Sequence, residues 1–239
     1  MKKILSLLIL FAFLNINAQF WKNDISGNGN VVDRTRSIGN FDQILITGGF
    51  EVSLVKGNLG KLELKTDENL LQVVETYVSK HKLYIKINSK FNLKRYTKLS
   101  ITLPVDDVEG ISISGSARVK SKSTFDWSTI KLNVLGSGSI DLSLHSSIIK
   151  AFVTGSGDII LQGKSDKVSY KVTGSGSIIS RELISTKAEV TVTGSGDIYI
   201  KSPVDKLKAS VTGSGNIYYY GTPETITSKT LGSGSIIQK

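Results

Sequence analysis

The chain has 239 residues, no cysteine and a formal net charge of +10 at pH 7. This length suits one all-β domain, and the lack of cysteine excludes disulfide bonds as a source of stability. A basic protein favours contacts with acidic glycans or lipid head groups. Its lysines form no tight cluster along the sequence, however, which is typical of a solubilising surface.

The first eighteen residues predict a signal peptide. Lys2 and Lys3 form a basic start, residues 4–14 form an apolar run, and Ala18 completes a cleavage site. The apolar run is too short to span a bilayer, and no cysteine follows it that could carry a lipid anchor. We therefore expect export to the periplasm, the cell surface or the extracellular space, with no transmembrane segment in the mature chain.

The N-terminal half predicts short strands around one helix. Apolar and polar residues alternate, as they do in half-buried strands, in three segments: 62–65, 82–87 and 99–103. Between the first two, Glu68–Val78 predicts a short helix, which Thr66 or Asp67 would cap. We expect the insertion 66–104 to cover one end of the core, because an open end exposes unpaired strand edges.

The C-terminal half repeats a Gly-Ser-Gly triplet every 19 or 20 residues. The triplets begin at Gly136, Gly155, Gly174, Gly194, Gly213 and Gly232. A constant interval of this kind is typical of a solenoid, in which each repeat is one coil stacked on the last. Glycine suits a sharp corner because it adopts backbone angles that other residues avoid and lets stacked backbones approach closely.

Apolar columns accompany the triplets. The fourth residue after each first glycine is always isoleucine: Ile140, Ile159, Ile178, Ile198, Ile217 and Ile236. The second residue before it is valine in five copies and Thr230 in the last. Polar residues stand between most apolar positions, and this period of two indicates strands with one buried side. Hairpins would not repeat the glycine corner at a constant interval. We therefore predict an all-β parallel solenoid of about 19-residue coils, stacked about 4.8 Å apart.

Weaker copies of the corner occur upstream. Gly115-Ser116-Ala117 and Gly48-Gly49-Phe50 are flanked by apolar residues at the same offsets. The solenoid is therefore expected to extend into the N-terminal half. After the signal peptide, we predict an N-terminal lead-in segment over 19–39 and a single solenoid domain over 40–239, which contains the insertion 66–104.

Several segments together resemble a known family. They are residues 44–52, residues 67–71, and the Val-Thr-Gly-Ser-Gly-Asp-Ile sequence at 153–159 and 192–198. The chain resembles, over residues 40–237, the auto-transporter adhesin head GIN domain family, which occurs mostly in Bacteroidetes. The resemblance implies an exported, right-handed parallel β-helix with an adhesin-type role. It implies no catalytic or binding residues.

A second apolar column follows the isoleucines by one residue. We call it the ridge, and it consists of Ile160, Ile179, Tyr199, Tyr218 and Ile237, extended by Tyr219 and Tyr220. If the ridge points outward, it forms a contiguous apolar surface of the kind that marks interfaces, with tyrosine faces for stacking. Two alternatives are that the coil bends and buries the column, or that the segment around Phe20 and Trp21 covers it.

The glycine-rich corners also invite comparison with phosphate and calcium sites. A phosphate loop is a single turn that opens a helix, whereas these six corners each precede a strand. A calcium roll needs a ladder of carboxylates, but the position after the triplets holds only Asp158 and Asp197 with serine or asparagine elsewhere. We therefore expect architectural corners, no metal and no cofactor.

An enzyme that acts on polysaccharides is the alternative function. Asp158 and Asp197 would lie two coils apart, at about 10 Å, near the upper limit of the carboxylate separation in inverting glycosidases. His81 and His145 stand apart from other potential ligands. We expect a non-catalytic binding, adhesion or structural module of the envelope or extracellular space, with a protein or polysaccharide partner and no nucleic acid. Homo-oligomerisation through the ridge or the last coil is a further alternative.

Overall fold

The computed structural model describes residues 22–201, 203 and 205–239. The chain is a β-solenoid of about seven turns with coils of about 19 residues, which confirms the predicted all-β class. The predicted signal peptide and the residues Phe20 and Trp21 lie outside the described residues.

The first nine strands build the N-terminal end. They are β1 (Asn23–Ser26), β2 (Val31–Ser37), β3 (Gln43–Gly48), β4 (Glu51–Lys56), β5 (Lys61–Asp67), β6 (Val74–Ser79), β7 (Lys82–Ile87), β8 (Phe91–Arg95) and β9 (Leu99–Val105). Strands β7 and β9 stack in parallel on β3 and β4. Strand β5 is antiparallel to β2 and β9, β6 is antiparallel to β7, and β1 pairs with β8. We call residues 22–105 the cap, because its antiparallel pairs close this end.

The helix predicted over Glu68–Val78 is wrong. Only Glu68–Leu70 form one turn of 3-10 helix, and Val74–Ser79 form strand β6. Valine and tyrosine in this segment suit a strand, and pairing with β7 decides the outcome. Asp67 does not cap the turn with its side chain.

The remaining eleven strands form the repeating coils. They are β10 (Gly110–Gly115), β11 (Arg118–Ser121), β12 (Phe125–Gly136), β13 (Ser139–Gly155), β14 (Asp158–Gly174), β15 (Ser177–Gly194), β16 (Asp197–Lys201), β17 (Lys206–Gly213), β18 (Asn216–Tyr220), β19 (Thr225–Gly232) and β20 (Ser235–Gln238). All their pairings are parallel. The parallel stacking that the triplet interval predicts is therefore confirmed.

The isoleucine column forms a single file along the axis. Each isoleucine is in register with the next one, from Ile140 to Ile236, and Ile140 through Ile217 are fully buried. The upstream copies continue the same columns, since Gly48 pairs with Gly115 and Gly115 pairs with Gly136. The core is therefore one continuous stack that begins in the cap.

The corners depend on backbone contacts between coils. The first glycine of each triplet has φ between +114° and +119°, and a Cβ on Gly136 would lie 2.7 Å from the carbonyl oxygen of Gly115. The serine N–H donates to the glycine carbonyl of the previous coil, for example Ser156 to Gly136 at 2.9 Å. These corners therefore stack by backbone hydrogen bonds.

The C-terminal end differs from the capped end. Strand β19 is exposed along its whole length, and no strand within the described chain pairs with its outer edge. Its inward positions include Ser228 and Thr230, where the previous coil has Ala209 and Val211. Polar residues thus replace apolar ones where the core meets solvent.

Candidate functional site

The ridge points away from the core. Ile160 is 38% exposed, while its neighbours Ile159 and Leu161 are buried. Ile179, Tyr199 and Tyr218 are partly exposed on the same side. The coil therefore does not bend to bury the column.

The tyrosine rings of the ridge stack on one another. The centroids of Tyr199 and Tyr218 are 4.8 Å apart with an interplanar angle of 11°. The guanidinium of Arg181 lies 4.3 Å from the centroid of Tyr199 and 5.1 Å from that of Tyr220, and Lys239 Nζ lies 5.6 Å from Tyr218. Neighbouring groups thus lie against the rings of Tyr199 and Tyr218, which leaves less ring surface for a partner to stack on.

Two further details limit the ridge. Tyr219 is in register with the buried Ile200 and packs against the core, so it does not extend the outward column. Arg181 is the extra residue of the one 20-residue interval, where the register between β14 and β15 shifts. A bulge of this kind redirects a side chain, here over Tyr199. That the ridge binds a partner stays a prediction.

The two corner aspartates hold the backbone of the next coil. Asp158 Oδ1 accepts the N–H of Ser177 at 3.1 Å, and Asp197 Oδ1 accepts the N–H of Asn216 at 2.8 Å. Asp197 Oδ2 also accepts the hydroxyl of Tyr199 at 3.3 Å. Burial raises the pKa of Tyr199, and the charge of Asp197 raises it further. These carboxylates therefore already have a structural role at the corner.

His145 is not isolated, contrary to the sequence analysis. Its Nδ1 lies 3.0 Å from Asp126 Oδ1, and Asp126 Oδ2 lies 3.4 Å from Lys56 Nζ. The hydrogen bond from His145 and then that from Lys56 lower the pKa of Asp126. Asp126 precedes His145 by one repeat interval, so the periodicity is the signal that could have found this pair. Within the described chain, no serine hydroxyl bonds to the imidazole of His145, so the pair with Asp126 has no nucleophile beside it. The described residues also contain no group of three or more His, Cys, Asp or Glu that could hold a metal ion.

A row of exposed lysines lies on another side of the coils. We call it the lysine face. It occupies the outward positions seven, five and three residues before the corner glycines, and its lysines are all exposed: Lys131, Lys150, Lys167, Lys171, Lys187, Lys206, Lys208 and Lys229. From β12 to β19, the only acidic residue at these positions is Glu189, which pairs with Lys208 at 3.2 Å. The face is therefore strongly basic.

Three of these lysines form a ladder along the axis. Lys167 is in register with Lys187, and Lys187 with Lys206, so their backbones stack about 4.8 Å apart. Asp166 and Asp205 precede the ladder at the neighbouring corner, but among the described residues neither forms a salt bridge with it. Like charges at directly opposed positions destabilise a sheet, and here the opposing charges remain unpaired.

The lysines that are dispersed along the sequence come together on one face of the folded chain. Lysines that are in register, such as Lys167, Lys187 and Lys206, are 19 or 20 residues apart in sequence and so form no continuous basic run. The parallel register places them beside one another. The signal was present in the offsets from the corner glycine, which apply to lysine as they do to isoleucine.

The family assignment follows from the coils and corners together. The profile described as "Putative auto-transporter adhesin, head GIN domain" matches residues 40–223. The chain belongs to the head GIN domain family. This membership confirms the resemblance seen in the sequence. No curated protein matches this head GIN chain by sequence.

Solved structures similar to this head GIN protein have the same fold. A protein from Parabacteroides distasonis named as a putative lipid binding protein is 26% identical, with a TM-score of 0.78 over 91% of this chain and 100% of its own. A putative adhesin from Bacteroides fragilis is 21% identical, with a TM-score of 0.82 over 90% and 100%. One from Parabacteroides merdae is 22% identical, with a TM-score of 0.69 over 91% and 99%.

Over residues 22–201, 203 and 205–239, no helix is long and apolar enough to cross a membrane.

Proposed function

We propose that this protein is an exported, non-catalytic adhesion module that holds an anionic partner on the outside of its solenoid. The observation that carries the proposal is the lysine face, in which the ladder of Lys167, Lys187 and Lys206 forms no salt bridge with the described residues. The names of the similar proteins, adhesins and a lipid binding protein, support a binding role outside the cytoplasm.

The solenoid makes a rigid support for such a surface. Strands β12, β13, β14, β15 and β17 of the face hydrogen-bond to strands of the coils on both sides, and β19 hydrogen-bonds to β17. The lysine side chains remain flexible, but their Cα positions are fixed by the register. Preorganisation of this kind lowers the entropic cost of a contact that is spread over many weak charges. Affinity then comes from the number of simultaneous contacts.

The alternative of a polysaccharide-acting enzyme has less support. The two carboxylates that the enzyme hypothesis needs, Asp158 and Asp197, accept backbone hydrogen bonds from the following coil. Their replacement is expected to disturb the corner without removing an activity. A hydrolysis assay on acidic and neutral polysaccharides tests this, because a turnover that Asp158→Asn and Asp197→Asn together abolish would overturn the non-catalytic proposal.

Binding to isolated cell envelopes tests the adhesion proposal. We expect the purified protein to sediment with envelopes at low salt and to be released at high salt, because exposed charges are screened. The triple variant Lys167→Gln, Lys187→Gln and Lys206→Gln should remain in solution. The matched control replaces three exposed cap and coil lysines outside the face by glutamine: Lys61, Lys90 and Lys122. Equal sedimentation of the ladder variant and the wild type would contradict the proposed function.

A further inference from the structure

We infer that the anionic partner is a linear acidic polysaccharide, which lies along the solenoid axis and crosses successive coils. This inference rests on the proposed function and names the chemistry of its partner. The first argument is the direction of the lysine rows. The Lys167, Lys187 and Lys206 ladder and the in-register pair of Lys131 and Lys150 both run parallel to the axis. A polymer with regularly spaced charges meets one ammonium group at each coil.

The second argument is the row of hydroxyl groups beside the lysines. The outward position just before the corner glycine is threonine in four consecutive coils: Thr154, Thr173, Thr193 and Thr212. Their hydroxyl groups form no hydrogen bond to other side chains or to the backbone in the described part of the chain. A hydroxyl both donates and accepts, so this row complements the hydroxyl groups of a sugar chain. The threonine row runs parallel to the lysine rows on the same face, about 7 Å from the row of Lys171 and about 20 Å from the ladder.

The third argument concerns the apolar residues of the face. Stable attachment to a membrane surface needs a second signal besides charge, such as inserted apolar groups. Ile148, which precedes Lys167 in its row, and Phe152 are both partly buried, and Lys131 Nζ lies 5.5 Å from the ring centroid of Phe152. The exposed Leu135 and Leu231 belong to the first and last full strands of the face and lie at its opposite ends. The centre of the face therefore favours a hydrated polymer over a lipid bilayer.

The shape of the surface also separates a sugar polymer from a nucleic acid. Proteins that hold single strands stack bases on open aromatic faces, and Phe152 is the only outward aromatic residue of the lysine face, with a lysine over its ring. The rows of lysine lie about 7 Å apart across the strands, since outward positions alternate. A single extended chain fits along one row and reaches the next with its substituents.

Binding to polymers of defined length tests the inference. The probes are polygalacturonate oligomers of increasing length, a neutral dextran, vesicles of phosphatidylglycerol and duplex DNA, measured by calorimetry at two salt concentrations. We expect affinity for the uronate oligomers to rise with length until the chain spans the ladder, and to fall as salt increases. Dextran should not bind. Vesicles or DNA that bind more tightly than the longest uronate oligomer would overturn the inference.

Charge reversal in the ladder locates the site. Lys187→Glu lies at the centre of the ladder and should weaken uronate binding on the order of tenfold, because it removes one contact and repels the neighbouring carboxylates. Lys90→Glu changes the net charge equally, outside the face, and should leave affinity within about twofold. Equal losses of uronate affinity in the two variants would show that binding depends only on the net charge of the protein, and would contradict the inference.

The two proposals fail in different ways. If the ladder variant loses envelope binding but uronate oligomers do not bind the wild type, the adhesion function stands and the polysaccharide inference is wrong. If the ladder variant keeps envelope binding, the lysine face is not the adhesion surface and the proposed function itself is wrong.

Discussion

The cap and the repeating coils use charge in opposite ways. In the cap, lysines pair with acids: Lys65 with Asp33 at 3.1 Å, Lys86 with Glu75 at 3.3 Å, and Lys98 with Glu51. In the coils, Lys208 pairs with Glu189, but the three lysines of the ladder form no salt bridge over residues 22–201, 203 and 205–239. A cap has a different sequence in each strand and can place opposite charges together. A repeat places like beside like, so any charge that recurs at one offset accumulates on one face.

The cap and the coils also differ in how much room the corner backbone leaves for a side chain. At the third position of the corner the cap carries Phe50 and the next coil carries Ala117, both fully buried. Every later coil carries glycine there, and a Cβ would overlap the previous corner, as for Gly138 at 2.7 Å from the carbonyl oxygen of Ala117. Side chains are thus tolerated where the stack of corners begins and excluded where corners lie directly on one another.

The largest expected effect is at a corner within the coils. In Gly176→Ala the new methyl group would overlap the carbonyl oxygen of Gly157, which cannot move without breaking the ladder. We expect a loss of about 4 kcal/mol or more in the free energy of unfolding, measured by urea denaturation. Ala117→Gly, at the matching position near the cap, should cost only about 1 kcal/mol. Similar losses in both variants would remove the distinction between cap and coil corners.

The cap depends instead on one buried carboxylate. Asp67 Oδ1 accepts the N–H of Gly29 at 2.7 Å and the hydroxyl of Thr97 at 3.0 Å, and Oδ2 accepts the N–H of Thr97 at 2.8 Å. We expect Asp67→Asn to destabilise the protein by about 2–3 kcal/mol. Asp33→Asn, at an exposed residue of β2, serves as the control and should change stability by less than about 0.5 kcal/mol.

The pH dependence of stability should follow from the same residue. Burial raises the pKa of Asp67, but hydrogen bonds from Thr97, Gly29 and Lys98 lower it more, so the pKa falls below its ordinary value of 3.8. The folded protein therefore binds the proton less readily than the unfolded chain. Its contribution to stability is complete above about pH 4 and is lost as the pH falls through the folded-state pKa. In a plot of the free energy of unfolding against pH, Asp67→Asn should make the decrease below about pH 4 less steep. An unchanged decrease would contradict the proposed contribution of Asp67.

A smaller effect, in the opposite direction, is expected inside the coils. The hydroxyl of Tyr170 is buried near Ser180 but makes no hydrogen bond of good geometry within the described chain. Burial raises the pKa of Tyr170, and the Ser180 side chain offsets only part of this rise. Tyr170→Phe should therefore raise the free energy of unfolding by about 1–2 kcal/mol. Tyr77→Phe in the cap, where the ring is 41% exposed, should be nearly neutral. Destabilisation by Tyr170→Phe would show that the hydroxyl has a partner.

The smallest effect concerns the unpaired ladder itself. Lys187→Glu should stabilise the free protein by about 0.5 kcal/mol at low salt, because it converts two repulsive neighbours into attractive ones, and salt should remove the gain. Lys208→Glu removes the pair with Glu189 and should act in the opposite direction. If neither variant shifts the melting temperature at low salt, repulsion among the ladder lysines does not destabilise the protein.

The repeat made much of the fold predictable. The isoleucine and glycine columns occur at a constant offset, and a slip of one residue would turn every inward side chain outward. The register from Ile140 to Ile236 and the weak copies at Gly48 and Gly115 therefore followed from counting. The cap has no repeat, and its segment over Glu68–Val78 was assigned to a helix from local cues that pairing with β7 overrides.

The candidate site, too, was predictable from the sequence only in part. The sequence left open whether the ridge points outward, and the exposure of Ile160 decides it. The stacking of Tyr199 on Tyr218 and of Arg181 on Tyr199 depends on side-chain torsions and on a bulge. The sequence by itself determined the coil length, the buried columns and the glycine corners, because close packing between identical units leaves one register. Only the tertiary structure decided which charged side chains form pairs, such as Lys208 with Glu189. Lys167, Lys187 and Lys206 are distant along the chain, and hydrogen bonding between coils brings them into one row.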